Sequence, residues 1–157
     1  MKLIQAIVLI GIPGSGKSTY IAKHLLPLLT HLQQIVCPDD IREELTGSAS
    51  NQSLNTEVWE EAYHRSAKIL ANYGLVVFDS TNAKRTDRVR LLQHLSDAMG
   101  TAGHIQGIYL DTPIEECQKR NARRERKVPT WAIERMHYEL LSQPPSHEDG
   151  FDELLVI

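Results

Sequence analysis

The chain has 157 residues, of which 41% are hydrophobic and 24% are charged, and its formal charge is −3. These values lie near those of soluble globular proteins, so they exclude a disordered or fibrous chain, and the negative charge argues against a large basic surface that coats nucleic acid. No apolar run is long enough to cross a bilayer or to serve as a secretory signal. We therefore expect one cytoplasmic domain over residues 1–157, without a membrane partner.

The first predicted strand is Leu3 to Ile10, an almost continuously aliphatic run of the kind that is buried on both faces of a parallel sheet. Gly11 ends this run. From Lys17 onward, leucine and isoleucine recur at helical spacing, which predicts a helix that Pro27 kinks or ends. A short second strand is predicted over Ile35 to Cys37.

Two predicted helices separate the second strand from the third. The first is short and covers residues 39–47, and a loop rich in serine, asparagine and glycine follows it over residues 47–55. The second helix is longer and ends at Gly74, which is placed to cap its C-terminus. The third strand is predicted over Leu75 to Asp79.

The same alternation continues in the second half of the chain. Thr86 is predicted to cap a helix that carries Val89, Leu92, Leu95 and Met99 and ends at Gly100. A fourth strand is predicted over Ile105 to Leu110. The run from Thr112 to Glu115 has the pattern of a capping box, so a basic helix is expected to begin there and to reach about Arg124.

A last helix is predicted to begin at Pro129, and Leu154 to Ile157 can form a final strand. Strands that alternate with helices predict an α/β fold, in which a mostly parallel central sheet of about five strands has helices on both faces. In such sheets, ligands bind at the carboxyl ends of the strands. We therefore look for functional residues just after each strand.

The segment after the first strand matches the Walker A pattern and lies between a buried strand and an amphipathic helix. Its glycines allow backbone amides to point inward, and with the helix N-terminus these amides form a cup for the terminal phosphates of a nucleotide, expected to be ATP. Lys17 would neutralise the phosphates, and Ser18 would offer its hydroxyl to the Mg²⁺ that bridges them. The predicted nucleotide-binding residues of this segment are Gly11, Pro13, Gly14, Ser15, Gly16, Lys17, Ser18 and Thr19. The motif predicts the three-layer P-loop NTPase fold.

Asp79 ends the third predicted strand, so its carboxylate is expected at the edge of the sheet beside the phosphate cup. A carboxylate there can hold Mg²⁺, directly or through water, or position the acceptor. The alternative is that Asp79 only caps a helix or turn.

Asp39 and Arg42 follow the second predicted strand and are expected at the same edge of the sheet. A carboxylate in that place can take the proton of an attacking hydroxyl. Arg42, one helical turn on, can hold a phosphate on the acceptor. The alternative is that Asp39 or Asp40 serves only as a helix N-cap.

Ten of the seventeen lysines and arginines lie in two short segments, residues 84–90 and 119–127, which would form a positive rim suited to a phosphate-bearing ligand. The second segment is predicted to belong to a lid around residues 113–128. Its arginines, Arg120 among them, would close over the phosphates during transfer. The alternative is a solvated basic helix face.

Four segments together resemble the 5′-hydroxyl polynucleotide kinases of nucleic-acid repair, in particular the kinase modules of bacterial and phage repair enzymes. The segments are GIPGSGKST, CPDDIREEL, VVFDSTN with Arg85 and Arg88, and KRNARRERKVP. The likeness covers nearly the whole chain. The Walker A segment is common to many kinases, whereas the combination of Asp39, Arg42 and DSTN is more specific.

The resemblance implies a role for each candidate catalytic residue. In that family the aspartate matching Asp39 is the general base, and the arginine matching Arg42 contacts the phosphate next to the accepted 5′-hydroxyl. Arg124 matches the lid arginine, and Lys17 matches the lysine that binds the γ-phosphate. Asp79 belongs to the family's aspartate-x-x-asparagine motif.

These patterns predict an ATP- and Mg²⁺-dependent phosphotransferase that moves the γ-phosphoryl group to a hydroxyl, with the 5′ end of RNA or DNA as the expected acceptor. Two alternatives stay open. One is a P-loop kinase for a small hydroxylated molecule such as a sugar acid, nucleoside or antibiotic. The other is an ATP-hydrolysing switch that has no phosphate acceptor.

Overall fold

Five parallel strands form one sheet in the computed structural model, which describes residues 3–157. The strands are β1 (Ile4–Ile10), β2 (Ile35–Val36), β3 (Leu75–Phe78), β4 (Gly103–Tyr109) and β5 (Glu153–Val156), in the spatial order β2-β3-β1-β4-β5. The predicted α/β P-loop NTPase fold is confirmed, and every strand pairing within residues 3–157 is parallel. Residues 1 and 2 of the predicted domain lie outside the described residues.

Six α-helices within residues 3–157 connect or flank these strands. They are α1 (Lys17–Tyr20), α2 (Pro38–Thr46), α3 (Asn55–Tyr73), α4 (Arg85–Met99), α5 (Ile114–Ala122) and α6 (Thr130–Ser142). The α-helical hydrogen bonds of α1 give way to a π-helical turn over Ile21–Leu25 and a 3-10 turn over Leu26–Leu28, which contains the predicted breaker Pro27. None of the helices in residues 3–157 is long and apolar enough to span a membrane.

The central strand β1 is buried on both faces, which explains its continuous aliphatic run. Ala6, Val8 and Ile10 belong to a hydrophobic cluster that includes residues of α3, α4 and α6. Ile7 and Leu9 belong to a second cluster, which includes residues of the π-helical turn after α1. Because successive side chains of a strand point to opposite faces, the sheet is the middle layer of three.

Two predicted helix caps are wrong. Thr86 lies inside α4, whose N-cap is Lys84, and no side chain caps that helix. Val89 is 41% exposed, whereas the other three apolar residues predicted on that helix, Leu92, Leu95 and Met99, are buried. The N-cap of α5 is Pro113, again without a side-chain cap, so the predicted capping box is not formed.

Candidate active site

The loop between β1 and α1 adopts a conformation that requires glycine. Gly14 and Gly16 have φ values of +85° and +103°, which side chains of L-residues disfavour. The amide of Gly11 donates to the carbonyl of Thr81 at 3.0 Å, which ties the loop to the segment after β3. Gly16 precedes α1 without a side-chain cap, so the amides of the first helical turn are available to an anion.

Lys17 folds back over this loop. Its Nζ donates to the carbonyl oxygens of Gly11 at 2.8 Å and of Ile12 at 3.4 Å. Burial lowers the pKa of Lys17, and the negative charge of Asp79 opposes that effect. A phosphate group in the loop would give the ammonium a stronger partner than these neutral carbonyls.

Ser18 and Asp79 border the same cavity beside Lys17. Burial raises the pKa of Asp79, the charge of Lys17 lowers it, and the charges of Asp40 and Asp39 raise it further. A hydroxyl and a crowded carboxylate suit Mg²⁺, which prefers oxygen ligands and would relieve this repulsion. Within residues 3–157, no group of three or more His, Cys, Asp and Glu side chains can hold a metal ion alone. The residues therefore fit Mg²⁺ that also takes ligands from a nucleotide and water.

Asp39 lies in the first turn of α2 and does not cap it. The N-cap position belongs to Cys37, and no side-chain cap is formed, so the N-cap alternative is wrong. Asp39 Oδ1 accepts from Arg42 Nη1 at 2.5 Å, and Oδ2 accepts from Arg126 Nη2 at 3.1 Å. The carboxylate is 52% exposed and is thus accessible to a hydroxyl from solvent.

Arg42 lies behind Asp39 rather than in the cavity. Its side chain is only 6% exposed, and its Nη2 donates to Asn55 Oδ1 at 3.1 Å. Its Nε is buried and has no hydrogen-bond partner within residues 3–157. In this structure Arg42 holds the predicted base in place, and its predicted contact with an acceptor phosphate stays a prediction.

The predicted lid is anchored on the phosphate loop. Arg120 Nη1, near the end of α5, donates to the Gly14 carbonyl at 3.2 Å. Thr112, which precedes α5, donates its hydroxyl to the Ser15 carbonyl at 2.8 Å instead of capping the helix. The side chain of buried Asn121 closes the turn that follows α5. Its Nδ2 donates to the carbonyl of Val128, and its Oδ1 accepts from the amide of Val128.

One cavity of about 800 Å³ brings most of the predicted site residues together. The predicted residues that line it are Pro13, Gly14, Gly16, Lys17, Ser18, Thr19, Asp39, Asp79, Arg120 and Arg124. Gly11, Ser15 and Arg42 do not line it: the first two belong to the buried part of the loop, and the third lies behind Asp39. The cavity is therefore bordered by the phosphate loop, the predicted base and the predicted lid.

Sequence reasoning missed three residues that shape this site. Arg126 reaches Asp39, and Thr112 and Asn121 fix the two ends of α5. Arg126 was one of several arginines in a basic run, and no local pattern distinguished it from its neighbours. An aromatic pair, Tyr20 and His24, also borders the cavity with ring centroids 4.7 Å apart.

The buried guanidinium of Arg88 supports the segment after β3. Its Nη1 donates to the carbonyls of Asn82 and Ala83, and its Nε donates to Asp149 Oδ2 at 2.8 Å. Asn82 has a φ of +48° and donates from Nδ2 to the Leu9 carbonyl at 2.7 Å. These bonds connect the DSTN segment to β1 and to the C-terminal part of the chain.

A protein family described as an AAA domain matches residues 7–143 of this chain. No curated protein matches the sequence. Among solved structures, the chain is similar to a component of the Pnkp1/Rnl/Hen1 RNA repair complex, with 24% identity and a TM-score of 0.72. The match covers 97% of this chain and 47% of the other, so this chain spans about half the length of that relative.

A second similar structure is a gluconokinase from Sinorhizobium meliloti 1021. It is 15% identical with a TM-score of 0.57, and the match covers 100% of this chain and 83% of the other. At these identities, both likenesses show a shared fold and leave the activity and the substrate open.

Proposed function

The chain belongs to the AAA domain family, and from that premise we propose that it is a kinase that transfers the γ-phosphoryl group of ATP to a hydroxyl, the 5′-hydroxyl of RNA or DNA in the first place. The observation that carries this proposal is the cavity in which the phosphate loop and Asp39 face the same space. A kinase needs a group beside the phosphate loop that can receive the proton of its acceptor hydroxyl, and Asp39 is placed to do so.

The chemistry assigns one task to each side of the cavity. The loop amides and Lys17 hold the phosphates, and Mg²⁺ bound near Ser18 and Asp79 would neutralise their charge. Asp39 takes the proton of the acceptor hydroxyl while the oxygen of that hydroxyl forms the new bond to the γ-phosphorus. The bond between that phosphorus and the β–γ bridging oxygen breaks, and ADP leaves with the electron pair. Arg124, on the lid, would stabilise the charge of the group in transit.

Three features support a nucleic-acid acceptor. The sequence carries the Asp39, Arg42 and DSTN combination, the lid offers a positive rim, and the fold is similar to that of a chain in an RNA repair complex. A second candidate is a small hydroxylated metabolite, and the likeness to a gluconokinase over the whole chain favours it.

Labelled ATP tests the proposal. The protein is incubated with γ-labelled ATP and 5′-hydroxyl oligonucleotides of RNA and DNA, and then with a panel of sugar acids and nucleosides. Label at the 5′ end of an oligonucleotide is the expected result. Label only on a small molecule would favour the second candidate, and ADP with free phosphate but no labelled acceptor would overturn the kinase proposal.

A further inference from the structure

The buried side chain of Arg42 connects the predicted base to the next helix of the chain. Its Nη1 donates to Asp39 Oδ1 within α2, and its Nη2 donates to Asn55 Oδ1 at 3.1 Å. Asn55 is the first residue of α3 and lies 13 positions beyond Arg42 in the sequence. Two hydrogen bonds in series therefore join the start of α3 to the carboxylate that faces the cavity.

The side chain of Asn55 does not cap its own helix. The N-cap residue of α3 is Leu54, and no side chain caps that helix. Val58, in the first turn of α3, is 0% exposed and belongs to the larger hydrophobic cluster. The start of α3 is therefore anchored in the core, while the amide oxygen of Asn55 is directed at Arg42.

The contact with Asn55 fixes the orientation of the Arg42 guanidinium. A guanidinium is planar and rigid, so partners at both Nη atoms define the direction in which each N–H points. The Nε of Arg42 is buried and has no hydrogen-bond partner within residues 3–157, which leaves Asp39 and Asn55 as the side-chain partners of Arg42 in that range. Without Asn55, Arg42 would be held only by the residue that it has to position.

Asp39 needs this support because its other contacts are open to solvent. Its side chain is 52% exposed, and its Oδ2 is paired with Arg126, whose side chain is 49% exposed. An exposed ion pair contributes about 1 kcal/mol or less, so the contact with Arg126 does not fix the carboxylate. Arg42, whose side chain is 6% exposed, is the buried partner that can do so.

We propose that Asn55 is a positioning residue of the transfer reaction, because it holds the guanidinium of Arg42, which in turn holds the carboxylate of Asp39 toward the acceptor hydroxyl. A displacement of about 1 Å in a reacting group can slow an enzymatic reaction about a hundredfold. Loss of the Asn55 contact therefore slows the transfer step and leaves the binding of ATP and of the acceptor in place. This inference rests on the proposed function, since it concerns the base of that reaction.

The test compares Asn55→Ala with Asn55→Asp, which keeps an oxygen acceptor in the place of the amide oxygen. Asn51→Ala is the matched control, because Asn51 is an exposed asparagine of the preceding loop whose Oδ1 accepts from the amide of Ser53. Single-turnover transfer from labelled ATP to a 5′-hydroxyl RNA oligonucleotide gives the maximal rate of transfer and the acceptor concentration that gives half of it. Thermal melting identifies a temperature at which every variant is folded.

Asn55→Ala should lower the maximal rate about tenfold to a hundredfold, with little change in the half-saturating acceptor concentration or in the affinity for ATP. Asn55→Asp should recover most of the rate, and Asn51→Ala should transfer as the wild type does. An unchanged rate in Asn55→Ala, or no recovery in Asn55→Asp, would overturn the inference. A higher half-saturating acceptor concentration at an unchanged maximal rate would assign Asn55 to acceptor binding and would overturn it as well.

A double variant tests whether Asn55 acts through Arg42. Arg42→Met removes the guanidinium and keeps a long side chain at the buried position. Adding Asn55→Ala to Arg42→Met should then lower the rate no further, because the two residues act in series. A further fall of about tenfold in the double variant would overturn the inference while the proposed function stands. Where Arg42→Met does not fold, the comparison of the two Asn55 variants decides alone.

The wild type separates this inference from the proposed function. Label transferred by the wild type to a 5′-hydroxyl oligonucleotide, or to a small molecule of the panel, is required before the variants are compared. A wild type that labels neither would overturn the proposed function and the inference with it.

Discussion

Gly14 of the phosphate loop lies against the backbone carbonyl of Cys117 in α5, so close that a methyl group at Gly14 would overlap that oxygen. The loop and the lid helix therefore meet backbone to backbone. Thr112 and Arg120 add side-chain hydrogen bonds to the same loop. One backbone contact and two hydrogen bonds thus hold the loop against the base of the lid.

Gly14→Ala should weaken both the fold and nucleotide binding. The control is Gly47→Ala, because Gly47 has a similar φ of +80° but nothing within 4 Å of an added methyl group. Gly47→Ala should lower the free energy of unfolding by about 1 to 2 kcal/mol, the cost of a left-handed alanine. Gly14→Ala should cost more and reduce the affinity for ATP. Urea denaturation and calorimetric titration measure the two effects, and equal losses in both variants would contradict the proposed contact.

Asp39→Asn should slow transfer strongly while ATP binding stays nearly intact. The amide keeps the shape of the side chain but cannot take a proton, so transfer should fall by about 10² to 10⁴. Asp40→Asn is the control, because Asp40 also lines the cavity but is not the predicted base. Single-turnover transfer and ATP titration are compared for both variants. A parallel loss of binding and transfer in Asp39→Asn would count against the base assignment.

Lys17→Met should stabilise the free protein but abolish its response to ATP. Burial lowers the pKa of Lys17, so the charged amine costs folding free energy at neutral pH. Because the unfolded chain binds the proton more tightly, the wild type should gain stability relative to Lys17→Met as the pH rises toward the ordinary pKa of lysine. Thermal melting with and without ATP and Mg²⁺ measures both effects. Lys23→Met, which removes an exposed lysine, should still be stabilised by ATP. Stabilisation of Lys17→Met by ATP would refute the role of Lys17 in binding the phosphates.

Cys37 should react slowly with alkylating reagents. Burial raises the pKa of Cys37 to about 11, and the charges of Asp79 and Asp40 contribute. At pH 8.5 its thiolate fraction, and hence its alkylation rate, should be about a hundredfold below that of a free cysteine. Mass spectrometry of iodoacetamide-treated protein over a pH series measures this rate. Asp40→Asn should increase the rate at pH 8.5, and alkylation of the wild type as fast as a free thiol would contradict the shift.

Arg88→Met should be strongly destabilising. Arg88 and Asp149 are both 0% exposed at their side chains, so the substitution leaves a buried carboxylate whose remaining ion-pair partner within residues 3–157 is Arg85. Loss of one partner of a buried ion pair costs about 3 to 5 kcal/mol. Arg90→Ala, at an exposed position of the same helix, should change the free energy of unfolding by less than about 0.5 kcal/mol. Urea denaturation measures the free energy of unfolding of both variants. A small loss in Arg88→Met would contradict the conclusion that Arg88 stabilises the DSTN segment.

Much of the fold could be predicted because its signals are local. The aliphatic run of β1, the glycines that end α2 and α3, and the strand before Asp79 each appear within a few neighbouring residues. The predicted capping box at Thr112 is not formed because its hydroxyl bonds to another segment instead of to its own helix. Thr112 donates to the Ser15 carbonyl, which is distant in sequence and becomes its neighbour only after folding.

By itself the sequence determined the order of strands and helices and the position of the phosphate loop, because hydrophobic period, glycine conformation and the Walker A spacing are properties of contiguous residues. Only the tertiary structure decided which arginine faces Asp39 from the lid and which lies buried behind it. Arg126 and Arg42 carry the same charged group, and their different roles follow from burial and from the path of the turn that Asn121 closes. Those are consequences of contacts between segments far apart in the chain.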